Sequence, residues 1–377
     1  MSNNMTYRVP PPGDIIKEEL EAREWSQADL AYVLGIPAQS VNAILNGKRS
    51  ISTDMAKALG QAFDVSPAFF SNLQASYDLS VASEPDPSIA ARARFQDHFP
   101  VREMIKRRWL DEDLEPALLE IQIMRFFHAS RISDVPYLNH AAKKSSYEDR
   151  CIPPVQLAWL FRVRQIAKEI VAPKYSEKKL RSALSILRTL MSAPEEARRV
   201  PKLLNECGIR FVLVESLPKA KIDGVCFWLD NYSPVIGMSC RYDRIDNFWF
   251  VLRHELEHVL NGDGKMEGEE IVDDYDVLSN SATLPKEELV ANEAAADFCV
   301  EQEKLMSFIA RKAPFFSERD IRGFASTLGV HVGIVVGQLH ARTGEFRLFR
   351  KHLVKIRHHV SVSAVTDGWG DVYPISL

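Results

Sequence analysis

With 377 residues, 46% of them hydrophobic, the chain is long enough to bury two or three cores. Its 47 Lys and Arg against 51 Asp and Glu leave a net charge of −4 and a pI near 6.2. That balance excludes a general nucleic-acid coat and requires any DNA contact to be a local patch. No stretch approaches the roughly 20 apolar residues that span a bilayer, so no membrane partner is expected.

The first ten residues contain no apolar core, so no secretory signal is expected. Cys151, Cys207, Cys226, Cys240 and Cys299 are scattered, odd in number and free of any Cys-x-x-Cys pair. They read as reduced core residues of a cytoplasmic protein.

Residues 13 to 80 read as five short helices. Ser26-Gln27-Ala-Asp-Leu-Ala31 opens the second, Gly35 marks the turn, and the third runs through Gln39-Ser-Val-Asn-Ala-Ile-Leu-Asn46-Gly47. Leu30, Ala31, Val33, Leu34, Val41, Ile44 and Leu45 supply apolar faces at helix-turn-helix spacing. In such a unit the third helix enters the major groove, which makes Gln39, Ser40 and Asn42 the candidate base readers. Gln27, Lys48 and Arg49 are placed for phosphates. Residues 1–80 hold six Lys and Arg against nine Asp and Glu, but no acid falls between Asp29 and Asp54, the stretch that would face DNA.

Pro12-Gly-Asp-Ile-Ile-Lys-Glu-Glu-Leu, Trp25-Ser-Gln, Val41-Asn-Ala-Ile-Leu-Asn-Gly-Lys-Arg49 and Ser66-Pro-Ala-Phe-Phe-Ser-Asn-Leu-Gln74 resemble the HigA-type antitoxins, a branch of the XRE repressors. The resemblance implies a homodimer that binds palindromic operator DNA and represses its own operon. Pro37-Ala38 departs from the Ser-Arg usual there.

Ser83-Glu-Pro-Asp-Pro-Ser88 reads as a linker, and a helical middle region at 83–200 follows, with apolar periodicity from Leu114 to Phe127 and Val155 to Ile170. Its basic clusters, Lys106-Arg-Arg108 and Arg198-Arg199, read as solvated helix faces, and a further break is expected between Pro136 and Pro154. Ile209–Glu215, Gly224–Leu229 and Pro234–Met238 are short, β-branched or aromatic, and divided by turn residues. They predict a small antiparallel sheet whose edge strand lies beside the next helix and holds an extended peptide.

That helix carries His254-Glu-Leu-Glu-His258 after an apolar lead-in from Asp246 to Arg253, and Asn261-Gly262 stops it. Histidines four residues apart rise about 6 Å along one helix face and can grip a single ion, with Glu255 beside it as general base. This is the spacing of zinc hydrolases, so Zn2+ is the expected cofactor. The third ligand must come from the next helical segment, Lys286–Val300, which offers Glu288 and Glu293, each followed four residues later by a polar neighbour, Asn292 or Asp297. Spacing does not choose between them.

Phe248-Trp-Phe-Val-Leu-Arg-His254-Glu255 followed by Glu288-Leu-Val-Ala291-Asn292-Glu-Ala-Ala-Ala resembles the ImmA/IrrE metallopeptidases. The resemblance implies a gluzincin-like endopeptidase with Glu288 as third ligand, Asn292 supporting it and Glu293 the runner-up. Glu257 departs from the small residue often found at its position. Together the two resemblances cover roughly residues 10–80 and 200–345.

The acidic loop from Asp263 to Asp276 lacks the calcium-loop pattern and reads as a solvated lid or insertion. Asp320 to Leu339 repeats helix, glycine, helix spacing with Arg322 as its one Lys or Arg and reads as a packing or partner-binding subdomain. His331, His340, His352, His358 and His359 lack carboxylates at metal spacing and are not taken as ligands.

The expected architecture is α+β, mostly α: a helix-turn-helix domain at 1–82, the middle region at 83–200, a zincin-like peptidase domain at 201–345 and a C-terminal tail at 346–377. The expected function is a DNA-binding regulator that cuts a specific protein substrate. The alternative is an antitoxin and autorepressor that neutralises a cognate toxin, its metal pocket structural or sensory.

Overall fold

A computed structural model describes residues 9–112, 115–131, 134–135, 153–265 and 286–375, with the backbone of 271–273. The break expected at 136–154 and most of the 263–276 loop lie outside the described residues. The chain separates into two compact units that meet at Pro87/Ser88.

The first unit is built from α1 (Pro12–Ala22), α2 (Gln27–Leu34), α3 (Ala38–Leu45), α4 (Thr53–Phe63) and α5 (Pro67–Val81), the five helices expected over 13–80. Their starts are written in side chains. Ser26 and Asp29 form a reciprocal capping box on α2, Ser52 caps α4, and Ser66 precedes Pro67 at the first turn of α5. The serine hydrogen bonds hold the Asp29 carboxyl below the usual range. Gly35 ends α2 at φ 65°, a left-handed conformation with little penalty only for glycine, and so sets the turn into α3. Ile16, Leu30, Val41, Ile44, Leu59, Phe63 and Phe70 form one core.

The second unit is layered around a five-stranded sheet of β1 (Arg210–Val214), β2 (Gly224–Trp228), β3 (Pro234–Met238), β4 (Ile271–Asp273) and β5 (Val365–Asp367), in the order β4-β2-β3-β1-β5. The expectation of an antiparallel sheet is corrected: β1 runs parallel to β3 and to β5, and only β2 pairs antiparallel, with β3 and β4. The physical reason lies in the strands, which are near-continuous apolar runs because both sheet faces are covered. Phe211, Leu213, Cys226, Trp228, Ile236 and Met238 face one core, while Val212, Val214, Val225, Phe227 and Val235 face the other.

The second core is filled by α6 (Ser88–His98), α7 (Val101–Lys106), α8 (Pro116–Phe126) and α9 (Pro154–Glu169), whose Trp159, Val163 and Ile166 are buried. The first core is closed by α10 (Glu177–Leu190), α11 (Val200–Glu206), α12 (Ile245–Asn261), α13 (Lys286–Cys299), α14 (Gln302–Lys312), α15 (Glu318–Leu328) and α16 (Val332–Thr343).

The described residues of 88–200 are largely helical and belong to the same compact unit as the sheet, with no division of that unit at 200 or 345. Nor do residues 346–375 form a tail. Asp367 of β5 is buried, accepts from Trp109 Nε1 at 2.9 Å and from Arg162 Nε and Nη2 at 3.0 and 2.5 Å, and takes the Tyr373 backbone N–H at 3.1 Å. Arg107, expected on a solvated face, instead donates to the carbonyls of Glu215 and Ser216, both at 2.8 Å, and anchors the chain just past β1.

The pair α15 and α16 turns at Gly329, and α16 packs as core, with Ile334, Val335, Val336 and Leu339 buried. No single described helix is long and apolar enough to cross a membrane; this pair passes such a test only together, across a 111° bend.

Candidate metal centre and helix-turn-helix face

Helix α12 buries Phe248, Trp249, Leu252, Leu256 and Val259, which fixes its rotation and turns His254 and His258 toward α13. The two Nε2 atoms lie 3.0 Å apart. Glu288, on α13, brings Oε2 to 3.2 Å from His254 Nε2 and Oε1 to 3.6 Å from His258 Nε2. A tetrahedral ion held at roughly 2.0–2.2 Å sets its donor atoms about 3.3–3.6 Å apart. The histidine nitrogens and the two Glu288 oxygens lie 3.0–3.6 Å apart, at or slightly inside that size, and two imidazoles with one carboxylate are donors that divalent transition ions take. Among the described residues no other group of three His, Cys, Asp or Glu side chains converges in this way.

Glu288 reaches the histidines because α13 lies close along α12. Glu288, Ala291, Ala295 and Cys299 form its buried stripe, with small side chains where the helices meet. Glu293 is five residues on, roughly 140° around the helix from Glu288, and is exposed. Asn292 is half-buried one turn past Glu288, and its Oδ1 is buried without a hydrogen-bond partner.

Glu255 is fully buried. Its carboxylate lies against the first residue of β2, where a Cβ on Gly224 would fall 1.9 Å from Oε1, so only glycine leaves the carboxylate its place. The unexpected charge at Glu257 is met by Arg253 at 2.6 Å. The five histidines from 331 to 359 have structural neighbours: His331 Nδ1 accepts from Gly333 N–H, His340 Nε2 meets Leu348 O at 2.6 Å, His352 Nε2 meets Glu318 at 3.2 Å, and the rings of His358 and His359 lie 3.8 Å apart, tilted by 40°. Cys207, Cys226, Cys240 and Cys299 are buried and in no disulfide, and burial pushes the Cys240 thiol up to about 12.

Sequence reasoning missed Asp263, whose Oδ2 lies 2.9 Å from His258 Nδ1. The signal available was its place immediately after Asn261-Gly262, where the turn brings it back beside the end of α12.

In the first unit α2 presents Gln27, α3 presents Gln39 and Asn42, and the turn after α3 presents Lys48 and Arg49 to solvent, with Ser40 half-buried. Asn46 Nδ2 donates to Asn42 Oδ1 at 2.6 Å and to Asn42 O at 2.9 Å, which orders the Asn42 side chain on the exposed face.

The helix-turn-helix family matches residues 16–70. By this domain, the chain belongs to the helix-turn-helix family of transcriptional regulators. Its relatives include virulence-associated protein A' of Dichelobacter nodosus, 41% identical over 76 residues, or 20% of this chain and 66% of that protein. An uncharacterized HTH-type transcriptional regulator of Haemophilus influenzae is 36% identical over 76 residues, 20% of this chain and 71% of its own. Among solved structures, an addiction module antidote protein of a HigA family from Coxiella burnetii is 37% identical, covering 24% of this chain and 94% of that one, with a TM-score of 0.19.

Proposed function

We propose that this protein is a transcriptional regulator that binds operator DNA through α2 and α3 and carries a zinc endopeptidase centre in its second unit. The observation that carries the second half is the convergence of His254, His258 and Glu288, with one ligand atom from each within 4.8 Å of the others. When bound, zinc lowers the pKa of a water to about 7 and polarises a carbonyl. His254, His258 and Glu288 hold the ion, and Asn292 supports Glu288. Glu255 takes up a proton at its carboxylate and hands it to the departing amine.

The peptide-binding edge in this reading is β4, which ends the sheet beyond β2, itself paired on both sides. An extended polypeptide adds to β4 by backbone hydrogen bonds, which makes the substrate a specific partner protein.

A second reading, an antitoxin and autorepressor with a structural or sensory metal pocket, is favoured by one observation: Glu255 and His258 are both 0% exposed. In that case the protein neutralises a cognate toxin with Glu255 replaced. In both readings it acts as a homodimer in the cytoplasm.

Protein purified with zinc present is expected to hold about one ion per chain, and His258→Ala far less, by elemental analysis. A wild-type protein without zinc, or a variant as fully loaded, refutes the metal assignment. On DNA from upstream of its own gene, Gln39→Ala or Asn42→Ala is expected to weaken binding by about 1–3 kcal/mol each and to relax base preference. Unchanged affinity in a gel-shift titration at fixed salt removes α3 as the reader.

A further inference from the structure

The geometry points to Asp263 as a positioning residue that holds His258 in the tautomer needed for metal binding. The inference rests on the zinc reading and adds to it a residue outside the ligand set. Asp263 Oδ2 lies 2.9 Å from His258 Nδ1, and the imidazole is fully buried. An ionised carboxylate only accepts hydrogen bonds, so Nδ1 carries the proton and Nε2 keeps its lone pair. That lone pair faces the space shared with His254 and Glu288. The carboxylate also makes the ring a better donor to a cation.

Asp263 is itself fixed from three sides. Gly262 ends α12 in the left-handed conformation at φ 76°, and the Asp263 N–H donates to His258 O at 2.9 Å. Trp228, on β2, donates from Nε1 to Asp263 O at 2.9 Å. The Lys265 ammonium lies 4.4 Å from the centre of the Trp228 ring, over a mostly buried indole. The end of the metal helix and the neighbouring strand therefore aim the carboxylate together. None of these anchors uses the Asp263 side chain, so the turn does not depend on it and the carboxylate is left for the imidazole.

The test compares full-length wild type, Asp263→Asn and Asp263→Ala. Zinc affinity is measured at neutral pH by competition with a chromophoric chelator, and the melting temperature of each metal-free protein is measured alongside. Asp263→Ala is expected to bind zinc about 10–100-fold more weakly while the metal-free protein melts near wild type. Asp263→Asn is expected to fall between, since its amide oxygen accepts the same Nδ1–H without the charge. Equal zinc affinity in wild type and Asp263→Ala overturns the assignment. So does a loss that tracks the melting temperature and is not partly restored in Asp263→Asn. A wild type that takes up no zinc sinks the metal reading and this one with it, and does so before any variant is compared.

Discussion

Glu255→Gln is expected to keep its zinc and to cleave its partner protein about 10²–10⁴-fold more slowly. Glutamine matches glutamate in shape, so the carboxamide can occupy the space against Gly224 without disturbing α12. His254, His258 and Glu288 are untouched, and the zinc content should stay at the wild-type level. What is lost is a group able to accept a proton at neutral pH and return it. The proteins encoded by adjacent genes are the natural substrates to try, with cleavage followed on gels and the cut site read by mass spectrometry. Cleavage by the variant at the wild-type rate would show that Glu255 is not the base. If neither protein cuts any of them and both silence a neighbouring toxin, the antitoxin reading stands in place of the peptidase.

Asp367→Ala is expected to destabilise the second unit by about 3–5 kcal/mol. The buried carboxylate satisfies Arg162, which is 2% exposed, together with the Trp109 indole N–H and the Tyr373 backbone N–H. Removing it leaves a guanidinium charge inside the protein, which costs far more than the loss of one surface ion pair. Arg162 Nη2 also donates to Tyr373 O at 2.6 Å, so part of its demand is met after the substitution. Asp367→Asn keeps the Oδ1 acceptor for Trp109 but turns an amide NH2 toward Arg162 and the Tyr373 N–H in place of Oδ2, so it should fall between wild type and Ala and nearer to Ala. Urea unfolding of the full chain, followed at the transition of the second unit, checks the order. An Ala variant within about 1 kcal/mol of wild type would show that this pair does not hold the strand in place.

Elements that announce themselves locally were legible. The capping box at Ser26 and Asp29, the left-handed Gly35 and the stop at Gly262 are read from a few neighbouring residues each, and the helices they bound lie where expected. The choice between Glu288 and Glu293 was not legible from spacing; only the packed helix shows that Glu288 lies on the buried stripe with Ala291, Ala295 and Cys299 and that Glu293 does not.

What stayed hidden depends on partners far away in sequence. Nothing in Ile209–Met238 says that β1 pairs with β3 and not with β2, because a strand covered on both faces has no polar side to orient it. The strand β5 is three residues long, below the length at which alternation shows, and its place is set by an arginine 205 positions earlier. Arg107 looked like part of a solvated basic run because its acceptors, the carbonyls of Glu215 and Ser216, lie more than a hundred residues away.

The small-residue stripe of α13 carries a mechanical implication. Alanine side chains have no rotamers with which to take up slack on the α13 side, so a shift of one helix axis against the other passes to the gap between carboxylate and imidazoles. If the proposed centre holds an ion, its preference for ionic radius would depend on how closely the two helices nest, and so on alanines outside the ligand set.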